Sequence, residues 1–133
     1  MGKVLLKTAE EIEQERFEQF PDRIAAERES RLNTEIPVTI DGTDYQVPVT
    51  ERSQALAPEA ERRAKNSGST RPFPTKQGTV EFDGSQLEEI SQALDDYVSA
   101  VWRRQAELEA LVADGTIAEA DLTSGWPDTG TQT

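Results

Sequence analysis

The sequence contains no cysteine and no histidine. The first absence excludes disulfides, a thiol nucleophile and thiolate metal ligation. The second removes the commonest general base near neutral pH and the commonest transition-metal ligand. Apolar residues are scarce too: 35% of 133 positions, with two Trp, two Tyr and four Phe. Such a chain builds one modest core, and small cores often gain stability from partners. An elongated helical protein, homo- or hetero-oligomeric, is therefore expected. Long apolar runs are missing. The opening Met-Gly-Lys-Val-Leu-Leu-Lys is too short for a signal peptide or a membrane span, and Leu6 stands where a myristoylation signal needs Ser or Thr.

Clustered positive charge is also missing. The formal net charge is -12. From Ser85 to Leu122 there are nine acids and two bases, a net of -7, while Thr50 to Asn66 carries four bases and three acids. Phosphate backbones need clustered Lys and Arg, so neither nucleic acid nor membrane is an expected partner. The plain account of the acid excess is solubility, or an organism with acidic proteins. An acidic inhibitor that mimics DNA is the alternative.

The enzyme motifs are lacking as well. There is no phosphate loop, no Gly-x-Gly-x-x-Gly, no Gly-x-Ser-x-Gly and no Asp-x-Asp-x-Asp-Gly calcium loop. Carboxylates are the only reactive groups left, as Glu88-Glu89 and Asp95-Asp96. Neighbours on a helix do not face each other, and Glu88 and Asp95, seven apart, share a face as any solvated stripe does. The expectation is no enzyme, no cofactor, no metal and no small-molecule substrate.

What is present reads mainly as helix. Thr8 and Glu11 make a capping box, and Ile12, Phe17, Phe20 and Ile24 recur near helical spacing, with Pro21 expected to kink the helix or start a second one. Asn33 is the expected stop. Ile36, Val38 and Ile40, then Tyr45, Val47 and Val49, alternate around Asp41-Gly42, a strong hairpin signal whose prolines suit edge strands. Thr50 to Asn66 reads as a helix rich in alanine. Arg71-Pro-Phe-Pro74 and Gly78 to Phe82 read as extended, followed by a turn at Asp83-Gly84. Ser85 and Glu88 then suggest a capping box. Beyond them Leu87, Ile90, Leu94, Tyr97, Val101, Leu108 and Leu111 form a heptad seam ending at Asp114-Gly115, with Arg104 in its one polar slot. Thr116 and Glu119 suggest a further box.

The seam packs either against the Thr8–Leu32 helix or between copies. Arg104 then needs a carboxylate, or it snorkels outward. Trp102, just off the seam, is assigned to the core, and Trp126 is expected to fold back on the helices. The N-terminal arm either packs on its own domain or docks on another subunit.

The order from Asp41-Gly42, through Arg52, Ala55, Ala57, Ala60 and Arg63, then Val80-Glu-Phe82-Asp83, the helix Gln86 to Val98 with Val101-Trp102, and finally Gly125-Trp126-Pro127, resembles a phage-encoded domain of unknown function. That family is common near tail fibre and tail assembly genes of phages and prophages. The resemblance spans Asp41 to Pro127, leaves the first 34 residues outside, and departs from the pattern at Thr75-Lys-Gln-Gly-Thr79. It implies a virion or tail-assembly role with other tail or baseplate proteins as partners, and it supplies no catalytic residues.

The resulting expectation is a mainly helical α+β fold: a helical arm over 1–34, a hairpin-plus-helices domain over 35–127 and a disordered tail over 128–133. The expected function is a non-enzymatic structural component of a bacteriophage virion, an adaptor in the tail or baseplate. A tail-fibre assembly chaperone not retained in the particle is the alternative. Candidate partner-binding residues are Ile12, Phe17, Phe20, Ile24, Leu87, Ile90, Leu94, Tyr97, Val101, Trp102 and Trp126. The hairpin edge is a further candidate, as an acceptor of a partner's strand.

Overall fold

Side chains that replace missing backbone partners decide where the helices begin. In this computed structural model, which describes residues 8–129, helix α1 runs Ala9–Leu32. Thr8 Oγ1 accepts from Glu11 N at 3.1 Å, and Glu11 Oε1 accepts from Thr8 N. Pro21 does not divide the helix; α1 continues through it to its cap at Asn33. Burial of Phe20 and Ile24 on either side offsets the one hydrogen bond that proline forgoes.

Strands β1 (Glu35–Ile40) and β2 (Thr43–Pro48) follow, then helix α2 (Glu51–Ser67) capped by Thr50. Strands β3 (Arg71–Thr75) and β4 (Gly78–Phe82) lead into helix α3 (Gly84–Asp114) and a 3₁₀ turn at Glu119–Thr123. Among the described residues the result is an α+β fold of three helices and two antiparallel hairpins. The three Asp-Gly pairs do three different jobs. Asp41 and Gly42 both take positive φ (51° and 81°), the twist a tight hairpin needs. Asp83 is the N-cap of α3, exchanging hydrogen bonds with Gln86, so the expected box at Ser85 and Glu88 lies two residues too late. Gly115 ends α3 in the left-handed region. The box expected at Thr116 does not form either: Ala118 N donates to Asp121 Oδ2 at 2.8 Å and opens the 3₁₀ turn.

The strand prolines obey one rule. Each hairpin has a two-residue loop, so the flanking pairs Ile40–Thr43 and Thr75–Gly78 are hydrogen-bonded and alternate pairs beyond them are not. Pro37, Pro48, Pro72 and Pro74 all fall on the alternate pairs, where an N–H would point away from the partner strand. No ladder bond is lost, and both hairpins carry blunted outer edges. The outward groups of Gln46 are also taken: its O accepts from Lys76 N at 2.8 Å and its N donates to the Gln77 side chain. This joins the two hairpins and corrects the expectation that the first offers an edge for strand addition.

The core lies along α3. Leu87, Ile90, Leu94, Tyr97, Val101 and Leu108 are all buried, together with Ile36, Val38, Ile40, Val47, Phe73 and Phe82 from the hairpins. Helix α2 turns Ala57, Ala60 and Ala64 inward, and these small side chains let it lie close to α3. Tyr45 meets Phe82 edge-on, with ring centroids 5.2 Å apart. Tyr97 Oη donates to Arg31 O at 2.7 Å and ties the end of α1 to α3. Burial raises the Tyr97 pKa above its ordinary value of 10. A group whose neutral form is held in the fold lends stability below its unfolded pKa and loses it as pH rises through the folded one. Stability should therefore fall above pH 10 in the native protein but less so in Tyr97→Phe. That variant should itself lose about 1 kcal/mol near neutrality, in denaturant titrations repeated across that range.

Candidate interaction surfaces

The candidate partner-binding residues divide sharply by burial. Leu87, Ile90, Leu94, Tyr97 and Val101 face the interior of a single chain, as do Phe20, Ile24 and Trp126. The seam is consumed by α1, α2, β1 and β4 rather than left for a second copy, which corrects its reading as partner-binding surface. Phe17 is half-buried, edge-on to Phe20. Among the described residues, Ile12 (41% exposed) and Trp102 (47%) are the large apolar side chains left outside. Trp102 was expected in the core. It lies outside, between the end of α1 and the start of α2, and its ring stacks under the Arg28 guanidinium, 4.9 Å from the centroid.

The first surface is the opening half of α1. Every residue from Thr8 to Gln19 is exposed except half-buried Phe17, and among the described residues none before Phe20 is buried. Ala9 to Gln19 holds five glutamates against Arg16. Among the described residues these three turns meet the core only at their Phe20 end. An isolated helix of that length is marginal in water, so this segment draws its order from the rest of α1 or from whatever covers it.

The second surface surrounds Trp102. A depression of about 670 Å³ lies between the end of α1, the start of α2 and Trp102, with Arg28, Leu32, Thr50 and Glu51 on its walls. A neighbouring groove of about 400 Å³ runs between α2 and α3, floored by Ala57, Pro58, Leu94 and Val98 and flanked by Glu61, Glu88 and Asp95. Lys65 spans Glu61 and Glu88 at 2.9 and 2.8 Å. Both hydrogen bonds raise the lysine pKa, Glu88 first. Among the described residues no group of three His, Cys, Asp or Glu side chains is placed to hold a metal ion, and no helix is long and apolar enough to cross a membrane.

Sequence periodicity missed a third feature, a C-terminal clasp. Arg104 does not find a carboxylate alone. Its Nε donates to Ser124 O at 2.8 Å and its Nη2 to Asp121 O at 3.1 Å, while Nη1 reaches Glu107. Gly125, at φ 77°, lets the chain pass against that guanidinium: a Cβ there would come within 2.6 Å of it. Trp126 then turns back and donates Nε1–H to Leu122 O at 2.7 Å, near Arg31. Arg23 of α1 grips Glu119 in a two-pronged pair at 2.8 and 2.6 Å, which lowers the glutamate pKa. The segment thus links α1 to α3 from outside.

A family model described as Domain of unknown function (DUF4376) matches residues 11–124. The chain belongs to that family. No curated protein and no solved structure matches it. The DUF4376 region begins in the first turns of α1 and ends within the clasp, so the helical arm belongs to it. This corrects the expectation that the first 34 residues lie outside the family's extent. The match takes in both exposed surfaces, Ile12 and Trp102 alike, and stops two residues short of Trp126.

Proposed function

We propose that the chain is a non-enzymatic attachment protein of a bacteriophage virion, working in the tail or baseplate as an adaptor between tail proteins or fibres. The observation that carries the attachment reading is the opening half of α1: three helical turns that, among the described residues, meet the core at one end only, are exposed on nearly every side and bear Ile12 in the open. A helix that gains so little from its own fold is suited to gain it from a neighbour's groove. The phage assignment is supported by the order of hairpin, alanine-rich helix, second hairpin, long helix and Gly-Trp-Pro close described above. The rest of the fold acts as the rigid base that presents the arm.

The partner should be a neighbouring tail or baseplate protein with an apolar slot and a basic rim facing the glutamates of α1. Ile12→Asp tests the arm. Its melting temperature should match the parent, because an exposed substitution changes stability by no more than about 0.5 kcal/mol. Incorporation into particles, read by quantitative mass spectrometry of purified virions from a complemented deletion strain, should fall below detection. A parent protein absent from purified particles would overturn the virion reading in favour of an assembly chaperone.

A further inference from the structure

The arm accounts for Ile12 but leaves Trp102 without a purpose. A half-exposed tryptophan is costly to leave in water and is the residue type most often found at the centre of a binding surface. Arg28 covers part of its ring, and the remainder opens onto the depression at the start of α2. That depression and the α2–α3 groove share one lining residue, Gln54, so the two adjoin along α2 between Trp102 and Glu88. Gln54 donates its Nε2 to Val49 O, and its amide oxygen accepts no bond from the described residues. The floor is apolar (Ala57, Pro58, Val98) and the rim acidic. Among the described residues, the side chains of Glu51 and Asp95 make no ion pair or hydrogen bond.

We propose that these two adjoining depressions act as one channel, a second docking site that takes an extended segment of another protein carrying arginine or lysine. Trp102 anchors one of its cationic side chains in the way it already holds Arg28, the amide oxygen of Gln54 accepts a backbone N–H from the segment, and Asp95 and Glu51 pair with its charge. An acidic or uncharged apolar segment would meet the carboxylate rim unfavourably. A second copy of this chain, itself at -12, is disfavoured for the same reason. The protein then holds a partner at each of two faces, one through α1 and one through the channel, as an adaptor must.

A fluorescein-labelled peptide of alternating glycine and arginine provides the probe, with lysine and glutamate versions alongside. Anisotropy titrations of the full chain at physiological salt should show saturable one-to-one binding of the arginine peptide and none of the glutamate peptide. Trp102→Ala, and separately Asp95→Asn with Glu51→Gln, should each weaken it about tenfold, the loss expected of a central aromatic or a paired charge. Glu10→Gln with Glu13→Gln on α1 removes the same charge elsewhere and should change nothing, as should Ile12→Asp, which keeps this test separate from that of the arm. In the unmodified protein the indole N–H resonance of Trp102 should move with peptide while that of Trp126 stays. Equal loss from the α1 charge pair would reduce the binding to general attraction and overturn the proposal. So would an unmoved Trp102 resonance, or sedimentation showing self-association that Trp102→Ala abolishes, which would make the occupant a second copy.

Discussion

Leu94→Asp is expected to leave the protein unfolded at room temperature, with no cooperative thermal transition in circular dichroism. Leu94 sits midway along α3, is 2% exposed and belongs to the core that α2, α3 and the hairpins share. An ionised carboxylate there has no cation to meet, and its burial costs several kcal/mol beyond the apolar contact that is lost. A domain of this size holds about 5–15 kcal/mol in all, and one with so few apolar residues belongs near the lower end. Leu94→Ala calibrates the result: it should fold, with about 2–5 kcal/mol less stability. The aspartate variant should also recover structure as pH falls towards the ordinary carboxylate range, since the neutral acid is far cheaper to bury. A melting temperature equal to the parent's would show that this face of α3 points to water.

What could be read from the chain and what could not follow from the range of the interactions involved. The first hairpin was readable because Asp41-Gly42 and the alternation on both sides of it are local, and the turn alone sets the register. The seam of α3 was readable because its period repeats over four heptads. Which partners cover that seam was not, since periodicity defines a face and says nothing of the neighbour. Trp102 follows Val101 by one residue, about 100° further round the helix. Whether that position is covered depends on what stands beside it in space, and there the start of α2 (Glu51, Gln54) and the end of α1 leave a depression instead of a covering side chain. Arg104 looked like a flaw in an apolar series because its acceptors, Asp121 O and Ser124 O, are backbone atoms brought back by a turn that no side-chain pattern announces. The misplaced cap at Ser85 has a smaller cause: Asp83 and Gln86 satisfy the same spacing rule two residues earlier, and Asp83 follows directly on β4.

Of the candidate site, Ile12 and Trp102 were named from the sequence, but they were grouped with eight core residues and with Phe17. The chemistry that makes a good anchor also makes a good core residue, and only burial separates the two. The same ambiguity hid the acidic channel. Its carboxylates come from α2 and α3: Glu51 shares a depression with Trp102, Glu61, Glu88 and Asp95 line the adjoining groove, and only the packing of those helices brings the two together.

Trp126→Ala should produce the second large loss, about 3 kcal/mol, through a different route. The indole is 9% exposed, its N–H is held by Leu122 O, and Leu122 is itself buried against the helices. Truncation opens a cavity under the clasp and leaves that carbonyl without its donor. The consequence should be directional. Release of the 3₁₀ turn frees Glu119 from Arg23 and uncovers Arg31, two of the contacts that hold the later turns of α1 to the clasp. Hydrogen exchange in α1 from Phe20 to Leu32 should accelerate more than exchange in α2 or the hairpins, a sub-global opening and not a uniform one. Arg104→Ala should give the same pattern with smaller amplitude, because it removes two charge-assisted bonds to the segment but leaves the indole in place. Trp126→Phe should recover most of the packing but not the hydrogen bond, separating the two contributions. If exchange rises evenly across all three helices, the clasp is only one more part of the core. If it rises in α1 alone, the base of the docking arm is set by the C-terminal residues, and variants of Trp126 should lose partner binding at temperatures where the rest of the fold is still intact.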